Sequence, residues 1–275
     1  MGKIVWLASY PESGTYWFSM FLANLIAGTQ EPCSRQERDL IIPAENSAML
    51  YQPFFSRPLN EIPMRELAGM RPVVHRELAK RANDFLFLRT NNAAVQHFGH
   101  STITPEATAA AIYLIRNPLD IAPSYGAAKG RTIDETIGRM AETGRILGKS
   151  SKQTYEVVGS WSENVESWTS TVRGRILTVR FEDMLEDPEL QFSRAVKFLA
   201  INATTEQITR ASNNSIDSIL QAYKKLGGQV PKRLSPLQSL RSGAAIRGKR
   251  LLTTQQIATI ASAHRDQMHR FAYWG

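Results

Sequence analysis

The sequence predicts an α/β fold of three layers, with a central parallel β-sheet flanked by helices. Two observations support this prediction. Short apolar segments typical of buried strands recur along the chain, and segments with apolar residues at helical spacing alternate with them. No internal repeat or low-complexity segment interrupts the pattern. Strands that alternate with helices build a parallel sheet covered on both faces.

Four apolar segments are the predicted strands, at residues 4–8, 85–88, 110–115 and 176–180. A helix is predicted after each strand, and helical spacing is clearest in segments 17–25, 192–199 and 257–268. The proline-rich segment 30–81 is predicted to be irregular, so that it forms a lid or a wall of the acceptor site.

Composition limits the class of protein. Of the 275 residues, 43% are apolar and 21% are charged, which is enough for a sizeable core. Cys33 is the only cysteine in the sequence, so an internal disulfide is excluded and a reducing compartment is favoured. The first residues resemble neither a signal peptide nor a membrane span. We expect one domain over residues 1–275, located in the cytoplasm, without membrane contact and without a metal.

The charge distribution favours an anionic partner. The net charge is +8, and the segment 218–265 contains nine Lys and Arg residues and no acidic residue. Such a field attracts anions, although a solvated basic face would have the same composition. Nucleic acid is not expected as a partner, because no aromatic stacking motif or reading helix accompanies the charges.

The loop after the first strand has the features of a phosphate-binding loop. Gly14 lets the backbone approach a ligand, Ser13 and Thr15 offer hydroxyls, and the next helix begins there with unpaired N–H groups. The loop lacks the lysine of a Walker motif, and a purely structural turn remains an alternative.

The third strand ends in a cation. Arg116 follows it, and Ser124 lies eight residues further along, where both side chains can face one phosphate. A P-loop kinase commonly has an Asp at this type of position to hold Mg²⁺. A cation instead suits a donor that needs no metal and carries a second phosphate.

Five segments, in order, resemble motifs of the sulfotransferases that use 3′-phosphoadenosine 5′-phosphosulfate (PAPS). They are YPESGTYW at 10–17, IRNPLD with SY at 115–125, GSW with SW at 159–168, FEDM with EDP at 181–188, and LSP with RSG and Lys at 234–249. The resemblance implies a P-loop-like three-layer fold. It also implies transfer of a sulfuryl group from PAPS to a hydroxyl or nitrogen of a small-molecule acceptor, with 3′,5′-adenosine bisphosphate (PAP) as the product.

The resemblance also implies roles for individual residues. The 5′-phosphosulfate is assigned to Ser13, Gly14, Thr15 and Tyr16, and adenine to Trp17 with Ile216 and Ile219. Trp17 also fits a core position, because it lies on an apolar helical face. The 3′-phosphate is assigned to Arg116, Ser124, Arg241 and Gly243, with Ser242 beside them.

The predicted catalytic residues are Glu12, Arg89, Asn91 and His97, and two of them depart from the family pattern. Glu12 replaces the loop lysine, and a carboxylate ~4 Å from a phosphate charge would be repelled by about 4 kcal/mol at an effective dielectric of 20. Arg89 keeps a cation near the second strand and is expected to neutralise Glu12 or stabilise the leaving phosphate. Asn91 stands where the family has a histidine base, and an amide cannot take up a proton. His97 and His100 are the candidate replacements.

Three hypotheses account for these departures. The first is an enzyme whose acceptor brings a cation for Glu12, such as an amine or guanidine natural product. The second is an enzyme acting on a hydroxyl with a displaced base. The third is a catalytically impaired protein that binds PAPS or PAP. A P-loop nucleotide kinase is a further alternative, which the missing lysine and Asp disfavour.

Overall fold

Four parallel strands form the central sheet. The computed structural model describes residues 3–171, 174–225 and 248–273. The strands, numbered along the chain, are β1 (Ile4–Ser9), β2 (Leu86–Thr90), β5 (Thr108–Ile115) and β8 (Ile176–Arg180), in the order β2-β1-β5-β8. Two short antiparallel pairs lie outside this sheet: β3 (Gln96–His97) with β4 (His100–Ser101), and β6 (Ile146–Leu147) with β7 (Glu156–Val157). The prediction of a parallel sheet with these four strands is confirmed.

Helices pack around the sheet. Those before β5 are α1 (Thr15–Ala27), α2 (Arg35–Ile41), α3 (Ala48–Tyr51) and α4 (Met64–Arg81). Those between β5 and β8 are α5 (Pro118–Lys129), α6 (Ile133–Ala141) and α7 (Trp161–Glu166). The helices after β8 are α8 (Phe181–Glu186), α9 (Pro188–Phe198), α10 (Thr205–Lys225) and α11 (Thr254–Arg270). Within the described ranges, no helix has the length and apolar character needed to cross a bilayer.

Successive side chains of the sheet point into two separate apolar cores. Trp6 and Ala8 of β1 pack with residues of α7 and α11 on one face. Val5 and Leu7 pack with residues of α1, α9 and α10 on the other. The strands are therefore buried on both sides, which explains why they are continuous apolar runs in the sequence.

The strand order creates a crevice between β1 and β5. The chain passes from β1 to β2 on one side and later returns to β5 on the other, with Ser9 of β1 opposite Leu114 of β5. Ligands of open parallel sheets bind at the carboxyl ends of the strands where the order reverses in this way. The loop after β1 and the residue after β5 meet at this crevice.

Two predictions about the elements were wrong. The antiparallel pair β3–β4, not a helix, follows β2. Segment 30–81 is largely helical, because most of its prolines lie between helices or, like Pro63, at the N-terminal boundary of one. Ser34 and Glu37 form a capping box at the start of α2, and Pro72 is tolerated inside the 18-residue α4.

Candidate active site

A cavity of about 680 Å³ lies at the carboxyl ends of the central strands. Each of the four strands contributes, because residues that end or follow β1, β2, β5 and β8 all line it. The lining includes these residues singled out from the sequence: Glu12, Gly14, Thr15, Tyr16, Trp17, Arg89, Asn91, Arg116, Ser124 and Ile219.

The loop after β1 brings the N-terminus of α1 to the cavity. Gly14 precedes the helix with φ 100°, and a Cβ there would lie 2.6 Å from Phe181 Cδ2. Only glycine fits both the backbone angle and the space. No side chain caps α1 at Gly14, and its first turn has no acidic residue. The first N–H groups of the helix are therefore suited to an anion.

Ser13 is a buried residue of this loop that does not belong to the described lining of the cavity. Its side chain is fully buried, and Oγ has no hydrogen-bond partner in the described part of the chain. A buried hydroxyl without a partner costs about 1–3 kcal/mol. Thr15 Oγ1, by contrast, is hydrogen-bonded to Ser9 Oγ. This loop fits an anionic group that supplies acceptor oxygens.

Arg116 and Ser124 come together at Glu12. The Arg116 guanidinium is buried over the Phe181 ring at 4.6 Å, and its Nη1 donates to the Glu12 carbonyl at 2.8 Å. Burial lowers the pKa of Arg116. The Ser124 hydroxyl donates to the Glu12 carboxylate at 3.1 Å. The spacing of eight residues between a strand end and a helix thus brings both side chains to one place.

Arg89 does not pair with Glu12, which was one of the two roles expected of it. Its guanidinium forms an ion pair with Asp39 of α2 and donates to the Ile42 carbonyl at 3.0 Å. The backbone holds Arg89 beside the segment after α2, through a parallel bridge to Ala44 and a hydrogen bond from its N–H to the Pro43 carbonyl at 3.0 Å. Burial lowers the pKa of Arg89 to about 10.

Asn91 fixes the backbone around it. Its side-chain amide donates to the Ser9 carbonyl at 2.9 Å and is 3.3 Å from Ser9 Oγ. Its carbonyl accepts from Asn164 Nδ2 at 3.0 Å, and its N–H donates to Glu156 Oε1 at 2.8 Å. The residue at the expected base position therefore links β1, β2 and α7 and accepts no proton.

Glu156 is a site residue that sequence reasoning missed. It lines the cavity, is 7% exposed, and has a pKa that burial raises to about 7. The only sequence signal is its place three residues before Gly159 of the GSW motif. Nothing local indicates that β7 lies against the end of β2, where the Val157 N–H donates to Asn92 Oδ1 at 2.8 Å.

Cations on α2 and α5 were also missed. Arg35, Arg38 and Lys129 line the cavity. Arg38 lies over the Tyr16 ring, 4.8 Å from its centroid, and its Nη2 is 2.6 Å from Asp39 Oδ1. Among the described lining residues, five cations therefore face two carboxylates, which favours an anionic ligand.

Two further predicted site residues, His97 and Ile216, do not belong to the described lining of the cavity. His97 lies in β3, outside the central sheet, and its Nδ1 is 3.0 Å from the Tyr155 hydroxyl. Ile216 is buried in the apolar core, whereas Ile219 lines the cavity.

Trp17 lines the cavity, as expected, but it is only 3% exposed, and its indole N–H donates to Ser215 at 3.0 Å. Arg241, Ser242 and Gly243 lie outside the described residues.

Comparison with known proteins identifies the family. The sulfotransferase domain family matches residues 3–272, and the chain belongs to this family. Retinol dehydratase in complex with androsterone and inactive cofactor PAP superposes with a TM-score of 0.58 at 16% identity, covering 97% of this chain and 80% of that one. A retinol dehydratase complex with retinol and PAP gives 0.59 at 15%, covering 98% and 82%. A mouse sulfotransferase with PAP gives 0.53 at 17%, covering 97% and 84%. These likenesses show that the fold is the P-loop-like sulfotransferase fold.

Proposed function

We propose that this chain is an enzyme that transfers a sulfuryl group from PAPS to a hydroxyl or nitrogen of a small-molecule acceptor. The proposal also takes residues 1–275 as one domain that acts in the cytoplasm. One observation carries it: an uncapped helix N-terminus, Arg116 and Ser124 meet at one cavity of a sulfotransferase fold. Structures of similar fold contain PAP, and two contain androsterone or retinol.

The residues present fit a donor with two separated phosphate groups. The N-terminus of α1 and the unpaired Ser13 hydroxyl suit the 5′ group, while Arg116 and Ser124 suit the 3′-phosphate. When bound, PAPS supplies an activated sulfuryl group whose bond to phosphate breaks on transfer. Arg116 then serves to orient the nucleotide, because a guanidinium can bind phosphate through two hydrogen bonds.

The two lining carboxylates bear on which acceptor we propose. Among the described lining residues, Glu12 and Glu156 are the only acidic side chains. Glu12 is already engaged with Ser124. A cationic amine or guanidine natural product is the nitrogen acceptor that such carboxylates favour, and a neutral hydroxyl compound is the alternative.

A protein that binds PAP without turnover is the second candidate. The observation in its favour is Asn91. Its side-chain amide stands at the expected base position and donates a hydrogen bond to the Ser9 carbonyl. A nucleotide kinase finds no support, because the loop after β1 has no Walker lysine and Arg116 rather than an Asp follows β5.

A transfer assay separates these candidates. Purified protein is incubated with labelled PAPS and a panel of phenols, alcohols, amines and guanidines, with a chelator present. We expect label to move to at least one acceptor class without added metal. A protein that melts at a higher temperature with PAP but labels no acceptor is the non-catalytic binder. Transfer from ATP that depends on Mg²⁺ would contradict the proposal.

A further inference from the structure

Transfer to a hydroxyl requires a group that accepts the acceptor's proton. Asn91 cannot take up a proton, and no histidine belongs to the described lining of the cavity. Of the two described lining carboxylates, Glu12 lies at Ser124 and Arg116, the residues proposed for the 3′-phosphate, whereas Glu156 contacts Asn91 at the expected base position. Glu156 is the remaining candidate among these residues.

Glu156 is held rigidly beside the predicted base position. Oε1 accepts the Asn91 N–H at 2.8 Å, and β7 is joined to the segment after β2 by two further hydrogen bonds. These run from the Val157 N–H to Asn92 Oδ1 at 2.8 Å and from the Ala93 N–H to the Val157 carbonyl at 2.7 Å. A carboxylate fixed in this way keeps one geometry while it faces the cavity.

On the basis of the proposed function, we infer that Glu156 is the catalytic base of this enzyme. The acceptor oxygen attacks the sulfur of PAPS, and a new S–O bond forms as the S–O bond to the 5′-phosphate breaks. The phosphate of PAP leaves with the electron pair of that bond. The acceptor's proton passes to the Glu156 carboxylate and later to solvent.

The charges around Glu156 suit this role. Burial raises its pKa to about 7, the Asn91 N–H opposes the shift, Glu45 adds to it, and Arg71 and Arg89 oppose it. A base whose pKa lies near neutral pH is ionised in part and still accepts a proton readily. Glu45, Arg71 and Arg89 lie on three different segments, so the tertiary fold sets this balance.

The kinetic test uses Glu156→Gln, which keeps the acceptor oxygen for the Asn91 N–H. We expect kcat with an aliphatic alcohol to fall by about 100-fold or more, the usual effect of losing a general base. With a nitrophenol that is already ionised at the assay pH, the loss should be at least tenfold smaller. The exposed Glu106→Gln, outside the cavity, is the control and should keep both rates.

The pH profile and melting give independent readouts. The wild-type kcat/KM should rise with pH through about 7 and level off, and this rise should be absent in Glu156→Gln. A carboxyl whose pKa is raised by folding stabilises the folded protein below its usual pKa of 4.5. This stabilisation is lost as pH rises toward about 7. Glu156→Gln should therefore raise the melting temperature more at pH 8 than at pH 5, without any acceptor or PAPS.

The outcomes distinguish this inference from the proposed function. A wild-type protein that transfers sulfate, with equal losses for alcohol and nitrophenol in Glu156→Gln, would overturn Glu156 as base and leave the function intact. A variant that keeps its rate and its pH profile would overturn it as well. A wild-type protein that labels no acceptor would overturn the proposed function, and the base with it.

Discussion

Glu12 places a carboxylate where the resemblance expects a phosphate. Its side chain accepts the Ser124 hydroxyl, and its carbonyl accepts from Arg116. Because the carboxylate has the same charge as a phosphate and binds the same hydroxyl, a nucleotide that carries a 3′-phosphate must displace it. On the proposed assignment of Ser124 to the 3′-phosphate, we therefore expect Glu12 to weaken nucleotide binding.

Replacing Glu12 by Gln should tighten PAP binding. Because Glu12 is exposed, the dielectric of water applies: two like unit charges ~4 Å apart repel by about 1 kcal/mol, so Kd should fall roughly fivefold. Isothermal titration calorimetry at low salt measures it. The exposed Glu106→Gln is the matched control and should leave Kd unchanged. Weaker binding by Glu12→Gln would show that the carboxylate contributes to the nucleotide site.

Gly14 tests the loop after β1. Gly14→Ala should destabilise the protein by more than about 1 kcal/mol, because the φ of 100° disfavours alanine and Phe181 occupies the space of its Cβ. Gly138→Ala is the control, since it lies in α6 and a Cβ there meets nothing within 4 Å. That change should stabilise by about 0.5–1 kcal/mol. Urea unfolding measures both, and equal effects would contradict the packing described at Gly14.

At the scale of elements, a buried ion pair joins α4 to Glu45, whose neighbours Ala44 and Asn46 line the cavity. Glu45 Oε1 is 3.1 Å from Arg71 Nε and 3.1 Å from His75 Nε2. Oε2 accepts from Asn92 Nδ2 at 2.9 Å, so the cluster also reaches the segment after β2. Burial raises the pKa of Glu45, but Arg71, His75 and Tyr51 outweigh it and bring it to about 2.

Arg71→Met should cost about 3–5 kcal/mol of unfolding free energy, because it leaves the Glu45 charge buried without its main partner. Arg57→Met is the control. It breaks the exposed pair with Glu66 and should cost under about 1 kcal/mol. Equal costs in urea unfolding would refute the importance of the buried pair.

The cluster around Glu45 also makes the stability of the folded protein fall at low pH. A carboxylate with a lowered pKa gives its full stabilisation above its ordinary value of 4.5 and loses it as pH falls toward about 2. We expect the wild type to lose stability across this range. The loss should be smaller in Arg71→Met, as followed by urea unfolding at several pH values.

The elements also show what the sequence can and cannot predict. The four strands were predictable, because burial on both faces leaves continuous apolar runs. The pair β6–β7 has two residues on each strand, too few for any periodic signal. Glu156 reaches Asn91 only because β7 is hydrogen-bonded to the segment after β2, and this contact between residues 65 apart has no local signature.

At the scale of the whole molecule, the order of the strands explains why distant motifs form one site. The loop after β1, Arg116 after β5 and Phe181 after β8 meet because parallel strands end at the same edge. The motifs in segments 10–17 and 115–125 were therefore good predictors of the cavity. Neither the partner of Arg89 nor the buried place of Ile216 follows from such motifs, since both depend on packing between helices and the sheet.

The most direct test of the central claim is the melting temperature of the wild-type protein with PAP and with 5′-AMP. Both nucleotides are added at the same concentration. At 100 times its own Kd, PAP should add about 2.7 kcal/mol of stability. We expect PAP to raise the melting temperature well above the value with 5′-AMP, and Arg116→Ala to remove most of that difference while the exposed Arg139→Ala keeps it. Equal shifts with the two nucleotides in the wild type would contradict a site built for the 3′-phosphate.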